Sequence, residues 1–447
     1  MTADDRTRVL IAGGGIAALE LLLALRVLAG AHVAITLLTA EAQLAPRAMT
    51  VAEPFERGAA QAYDWSQIAD HQHARLVIDR LVAVDTAAQI VFTHSGRRLH
   101  YDILALATGA RRVEPFAGAL TFGMRDDAAA ALRARVADVL TRDAASIAFA
   151  LPSPSSWPLP LYELALLTAH ELREHGSNAT VRIVTPEQHP LDLFGPAASD
   201  AVKPMLDTLG IELTLRAQPR EVLPAALRID GDQLIAADHV VTLADIAARP
   251  IAGLPVDRAG FVPVDLHGRV TGETTVYAAG EVTSFPLRQG GLATQQADTV
   301  ADAIAATCGR DHDPAPFRPV LRGRLLTSGA PLYLQARPSG QSLASTRALW
   351  SPPEKIAGRY LAPYLSTARP TRISAEPLTE RVPAVAGARG DERDAVTLAL
   401  ALAEAEARCG NPSRALQARD TAHTLDPDLA DRGDERLAAA LDSEVPA

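Results

Sequence analysis

The stretch Gly13-Gly14-Gly15-Ile16-Ala17-Ala18 constrains this chain more than any other. It follows an apolar run, Arg8–Ala12, that reads as a buried strand. It opens a helix predicted from about Ile16 to Leu28, and a second strand, Val33–Leu38, comes next. Strand, glycine turn, helix and strand within about thirty residues make a βαβ unit. The pattern is G-x-G-x-x-G/A, and each position has a physical task. Gly13 permits the tight turn. Gly15 has no Cβ, so a pyrophosphate can approach the backbone. Ala18 lets the helix pack near the strand. The helix N-terminus, at Ile16 and Ala17, offers N–H donors and a partial positive charge. Alone the motif is weak, but both strands and the helix stand where the mechanism needs them. A dinucleotide is therefore expected here. The acid that usually meets the ribose 2′-hydroxyl is replaced by Thr39. Glu41, two residues on, either reaches round to the ribose or sits in a solvated loop.

A chain of 447 residues is long enough for two or three cores. Apolar residues make up 48% and charged residues 21%, which is ordinary for a soluble globular protein. The net charge is −10 and no Lys/Arg block is dense, so no nucleic-acid partner is expected. Met1–Arg8 is mixed in charge and leads straight into a strand, so no signal peptide is read. The longest apolar run, near Ile16–Leu25, holds Glu20 and is too short to span a bilayer. It reads as a buried helix, with membrane association at most peripheral. The two cysteines, Cys308 and Cys409, form no CxxC, no zinc pattern and no disulfide framework. No metal site is expected, and a reducing cytoplasmic setting fits.

Leu76–Asp85, Ile90–His94 and Leu99–Tyr101 read as short strands. Ile103–Ala107 is a buried strand ending in Thr108-Gly109. A second alternation follows, with helices over Asp126–Leu140, Leu161–His175 and Ala198–Leu209. Its strands are Ser146–Leu151, Thr180–Thr185, Ile211–Leu215 and Asp238–Leu243. Thr275–Ala279 is a further strand, and a helix runs from about Ala293 to Cys308. Residues 316–387 read as irregular and rich in Pro, Arg and Ser, with one helix from Pro353 to Leu365. Past a linker at Gly387–Gly390, helices are predicted over Ala395–Arg408, Ser413–Leu425 and Asp428–Leu441.

Two further motifs bear on which dinucleotide binds. Ala107-Thr108-Gly109-Ala110 ends one buried strand, and Thr275-Val276-Tyr277-Ala278-Ala279-Gly280-Glu281 ends another. They resemble the A-T-G and T-x-x-Y/F-A-x-G-D elements of two-dinucleotide-domain flavoproteins, the superfamily of disulfide reductases. The resemblance implies FAD, with the acid after the last glycine, here Glu281, on its ribityl or pyrophosphate side. The stretch Pro286-Leu287-Arg288-Gln289-Gly290-Gly291-Leu292-Ala293 opens a helix whose N–H groups suit the flavin N1/O2 edge. It resembles sulfide:quinone oxidoreductases and type II NADH dehydrogenases, over roughly residues 7–330. Ala107, Thr108, Gly109, Gly280, Gly291, Leu292 and Ala293 thus join the loop residues as candidate FAD contacts. The implied fold is α/β, with two Rossmann-like domains. The FAD domain is split into 1–120 and 260–315 around a second domain at 121–259. A C-terminal interface region (316–387) and a helical tail (388–447) complete the chain.

The second Rossmann unit departs from the pattern. After Ser146–Leu151 the chain reads Pro152-Ser153-Pro154-Ser155-Ser156-Trp157-Pro158-Leu159-Pro160, without a glycine. Its four prolines lack N–H donors, and its side chains block a phosphate. NAD(P)H is therefore not expected to bind in the usual way. The run resembles the matching loop of flavocytochrome c sulfide dehydrogenases and sulfide:quinone oxidoreductases, with Trp157 where the resemblance places a redox cysteine. Without thiols near the flavin, sulfide oxidation has no nucleophile. Trp157 either covers the flavin face or fills the loop's core. Tyr162 and Glu163 read as structural starts of the helix. His71, His73, His94 and His100 read as surface or loop residues.

Ile356, Tyr360 and Tyr364, joined by Leu361, would share one face of the predicted helix. That face meets either a quinone or membrane surface, as the resemblance implies, or the protein body or a dimer partner. The tail resembles one tetratricopeptide hairpin, or is a generic amphipathic helix pair. A single such unit needs the body, a protein partner or another copy to cover it. The expected function is an FAD-dependent oxidoreductase passing electrons between an unidentified donor and a quinone or protein acceptor. The alternative is a non-catalytic flavin-binding or assembly module acting through the tail.

Overall fold

The computed structural model describes residues 6–309, 313–337 and 339–370. The strand Thr7–Ala12 lies at the centre of a five-stranded parallel sheet. It pairs on one side with Val33–Thr39, from Thr7↔Val33 to Ala12↔Leu38, and on the other with Ile103–Leu106. Val276–Ala278 adds beyond Ile103–Leu106, so residues far apart in sequence share one sheet. Arg75–Ile78 closes the other edge. The central strands are buried along nearly their whole length, as a parallel sheet covered on both faces requires. Helix α1 (Ile16–Leu28) packs against Gly290–Thr307, the last long helix, and every residue from Ala17 to Leu25 is buried.

A second five-stranded parallel sheet runs in the order 120–122, 239–243, 146–150, 180–184, 212–214. Its helices are Ala128–Thr141, Leu159–Glu174 and Pro196–Thr208. The chain passes between the two sheets twice, and the crossings pair as antiparallel strands, Arg111–Val113 with Asp245–Ala247.

Three sequence expectations change. Leu76–Asp85 is not one strand: Arg75–Ile78 joins the first sheet, and Leu81–Asp85 pairs instead with Ile90–Thr93. Residues 316–387 are not wholly irregular. Leu321–Leu325, Leu332–Ala336 and Ser342–Ser345 form an antiparallel sheet. Leu325, Leu332, Leu334 and Ala336 bury themselves in the second core, and Gly323 lets this sheet approach: a Cβ there would lie 2.6 Å from the Phe194 ring.

The predicted helix Pro353–Leu365 shrinks to Leu361–Thr367. Residues 353–360 form a strap whose amides find a partner outside any helix. The N–H groups of Tyr360 and Leu361 donate to Glu20 Oε1 and Oε2 at 2.9 and 2.6 Å. That contact explains a charged residue inside apolar α1. Burial pushes the Glu20 carboxyl up, and burial and the Glu20 charge push the neighbouring Asp298 up to about 9. Ile356, Tyr360, Leu361 and Tyr364 pack on the first core, so this face meets the body. The linker and the three predicted tail helices lie outside the described residues.

Candidate functional site

The sequence motifs converge at the C-terminal edge of the first sheet, where ligands of open α/β sheets bind. Gly13 has φ +142°, and a Cβ there would fall 2.0 Å from Ala107 O. The glycine turn is thus pressed against the A-T-G strand end. Around the Cβ position of Gly15 nothing lies within 4 Å, and no side chain caps α1. Ile16, Ala17 and Ala18 form the first turn of that helix, with Ala17 and Ala18 buried. Gly280, at φ +83°, sits between Ala17 and Ala293, whose Cβ atoms would stand 3.3 and 3.4 Å from a Cβ of its own. Glu281 Oε2 lies over the A-T-G turn, 3.9 Å from the Cβ position of Gly109. The Thr108 hydroxyl is buried without a hydrogen-bond partner.

Three candidates are already committed elsewhere. The Thr39 hydroxyl donates to Glu41 O at 3.1 Å and accepts from Glu41 N at 3.2 Å, leaving the Glu41 side chain exposed. The amides of Leu292 and Ala293 are spent on the helix's own cap: Leu292 N donates to Gln289 Oε1 at 2.8 Å, and Ala293 N to Gln289 O at 2.9 Å. The helix begins three residues earlier than the sequence predicts. Its end at Gln289-Gly290, not Leu292-Ala293, faces the site, with Gly291 buried one residue further in.

Between the two sheets lies a cavity of about 300 Å³. Ile16, Glu281 and Gly290 line it from the first half, and Trp157, Leu159 and Glu163 from the second. Cationic side chains that sequence reading missed complete the wall: Arg47, Arg112, Arg288, Arg322 and Lys355. Arg288 stacks on Phe261, its Cζ 3.7 Å from the ring centroid. Burial lowers the guanidinium pKa of Arg112 and of Arg288, and Glu281 opposes the shift in both. Lys355 Nζ donates to Glu163 Oε2 at 2.7 Å, where the Glu163 side chain is 0% exposed and that of Lys355 9%. Burial pushes the Glu163 carboxyl up and the Lys355 ammonium down, each opposed by the other's charge. Glu163 therefore anchors the strap rather than merely starting a helix. Its sequence signal was the same as that of Glu20, an acid inside an apolar helical run.

The loop from Leu151 to Pro158 stands where a second phosphate turn would be. Trp157 packs edge-on against Phe194, with ring centroids 5.3 Å apart, and also faces the cavity. It fills the loop and forms cavity wall at once. Glu187 occupies the region past the second strand of this unit, where a ribose acid would stand. Its carboxylate is turned inward, accepting from Tyr162 Oη at 2.7 Å, Thr185 Oγ1 at 2.9 Å and Asp192 N at 3.2 Å.

The family model for pyridine nucleotide-disulphide oxidoreductases matches residues 164–306. NADH dehydrogenase-like proteins of two Mycobacterium tuberculosis strains are 27% identical over 219 residues, 46% of this chain and 55% of each relative. The match thus spans about half the length of these curated relatives. The sulfide:quinone oxidoreductase of Aquifex aeolicus superposes with a TM-score of 0.68 at 17% identity, covering 76% of this chain and 86% of that one. A ferredoxin reductase from Rhodopseudomonas palustris gives a TM-score of 0.55 at 19% identity, covering 74% and 82%. The chain is thus similar to pyridine nucleotide-disulphide oxidoreductases over residues 164–306 and shares its fold with these two solved structures. Its architecture is α/β, with two parallel sheets.

Cys308 is half-buried at the end of the helix Gly290–Thr307, outside the cavity wall, and burial pushes its thiol up, away from the reactive thiolate. Cys409 lies outside the described residues. The matched segment begins at Leu164, directly after the proline-rich loop. Among the described residues no helix is long and apolar enough to cross a membrane, and no His/Cys/Asp/Glu group is poised for a metal ion. His71, His73, His94 and His100 are exposed.

Proposed function

We propose that this oxidoreductase binds FAD along residues 13–18 and 107–109, with Glu281 and the Gln289-Gly290 helix end toward the flavin. It passes electrons from a small donor in the cavity to a quinone or a redox protein. The open space above Gly15, the uncapped α1 and the partnerless Thr108 hydroxyl fit such a cofactor. FAD, when bound, supplies an acceptor for the donor's electron pair. The chain's own residues position and shield it. Trp157 and Leu159 exclude water from one wall, and the uncapped end of α1 favours the pyrophosphate charge. The cofactor half would comprise 1–120 and 260–315, around the unit at 121–259.

The observation that carries this reading is the loop at 151–158. Trp157 and four prolines by residue 160 stand where a nicotinamide dinucleotide needs glycines, and Glu187 is held inward. The electrons therefore do not come from NAD(P)H at the second unit. The test is an absorbance spectrum of the purified protein, followed anaerobically during titration with NADH, NADPH, sulfide and a reduced quinone. Flavin bands that bleach with quinol, but not with NADH, NADPH or sulfide, are expected. Rapid bleaching by micromolar NADH would overturn the reading of the loop.

A further inference from the structure

Two arginines of the cavity share one acceptor. Arg47 Nη1 and Arg112 Nη1 both donate to Gly123 O, at 2.9 and 3.2 Å. A guanidinium carries five N–H donors, and this carbonyl takes one from each. It draws two like charges side by side, and the Arg47 charge further lowers the Arg112 pKa. Such a juxtaposition is unfavourable until an anion meets it. Arg288 and Arg322 line the same cavity, and the Nε of each is buried without a hydrogen-bond partner. A buried donor left unpaired calls for an explanation, and a ligand is one.

The local acids do not balance this charge. Glu163 is engaged by Lys355, and Asp245 Oδ1 accepts from Ile246 N at 2.8 Å. Glu281 acts on both Arg112 and Arg288, and Asp257 and Asp245 act on Arg288 as well, so Arg112 and Arg47 are the less compensated pair. The placement is graded: Arg47 is exposed at the rim and Arg112 is half-buried further in. A rim charge steers an anion inward, and an inner one grips it. The remaining wall sets the apolar Phe122 and Trp157 beside the polar Thr50, Ser155, Ser156 and Gln289.

We infer that the cavity recognises a small organic monocarboxylate, its planar carboxylate held by Arg112 and Arg47 and its apolar body set against Phe122 and Trp157. A guanidinium fork matches a carboxylate in two parallel hydrogen bonds, which a lone ammonium cannot do. A volume of about 300 Å³ is at the small end for ligand pockets. This names the donor's class within the flavin reading above, but anion binding itself does not require the flavin.

The test is calorimetric titration of the full-length protein with benzoate and with benzamide, a neutral near-isostere. Each variant's flavin-to-protein absorbance ratio is measured alongside. Benzoate should bind at least tenfold more tightly than benzamide. Arg112→Met should weaken benzoate at least tenfold, and Arg112→Lys should restore only part of the loss. Arg47→Met, at the exposed rim, should weaken it less while keeping the fold. Equal binding of the two probes overturns the inference, as does no heat from benzoate or acetate at millimolar concentration. Loss of flavin from Arg112→Met with benzoate affinity retained also overturns it, because the arginines would then serve the cofactor. Purified protein that takes up no flavin would sink the functional reading, and the two probes would still decide the anion site.

Discussion

Replacing Lys355 by methionine isolates the cost of an unpaired charge at the cavity wall. The ammonium is 2.7 Å from Glu163 Oε2, with side-chain exposures of 9% and 0%, so water does little to screen the pair. Among the described residues Leu326 N also donates to the carboxylate, at 2.8 Å, and the Arg324 charge acts on it more weakly. Removing one member of a buried ion pair typically costs about 3–5 kcal/mol, because the other charge stays behind. Substituting both by apolar residues often costs far less. Lys355→Met and Glu163→Gln should therefore each lose about 3–5 kcal/mol in urea denaturation at neutral pH. Glu163→Leu combined with Lys355→Met should lose clearly less than the sum. The sign of the pH dependence follows from the carboxyl. Its pKa is already raised by burial, and loss of the ammonium raises it further. A raised carboxyl contributes stability when protonated and loses it as pH rises through the folded pKa. The deficit of Lys355→Met should therefore shrink as the pH is lowered. Losses below about 1 kcal/mol in the single variants would refute the reasoning, since that is the range of a solvated surface pair. Strict additivity in the double variant would refute it too.

Two other perturbations test separate parts of the structure. Gly13→Ala puts a Cβ 2.0 Å from Ala107 O at φ +142°, so it should cost about 3 kcal/mol or more and lower the bound flavin per protein. An unchanged unfolding midpoint with full flavin content would contradict the packing of the two motifs. Burial pushes the Glu187 carboxyl up to about 7, with its hydrogen bonds to Tyr162 and Thr185 holding it back. A raised carboxyl gives its stability below the ordinary value of about 4.3 and loses it as pH rises through about 7. Glu187→Gln should flatten that part of the stability profile, a span of at most about 4 kcal/mol. Denaturation midpoints at pH 5 and pH 8 would show it, and a slope equal to that of the unaltered protein would count against the buried, charged reading.

What the sequence showed of this molecule was what local sterics demand. Gly13 and Gly280 occupy positions where neighbouring atoms forbid or crowd a side chain, so the motifs advertise themselves as short patterns. The continuous apolar strands of both sheets are equally plain. The third sheet was hidden because its first strand, Leu321-Arg322-Gly323-Arg324-Leu325, alternates but has a glycine at the middle inward position, where Leu159 and Phe194 leave no room for a side chain. The arginines of the cavity were hidden for a related reason. Arg47, Arg112, Arg288 and Arg322 sit on four separate segments that only the tertiary fold brings together.

The strap shows why such long-range features carry the architecture of the site. Read locally, residues 353–365 have helical spacing, yet Glu20, more than three hundred positions earlier, supplies the acceptor for Tyr360 and Leu361 that a further helical turn would have given. At the other end of the strap, Lys355 reaches Glu163 on the second half. Two buried acids, one from each half, thus hold one short segment, and Ile356 between them lines the cavity beside Gly290. Buried carboxylates are costly as stabilisers, since desolvation offsets much of their attraction. Here each has a geometric consequence that apolar packing would not give: it fixes the position of a particular amide or ammonium. The strap's register, and with it the closed side of the cavity, follows from where those two acids stand.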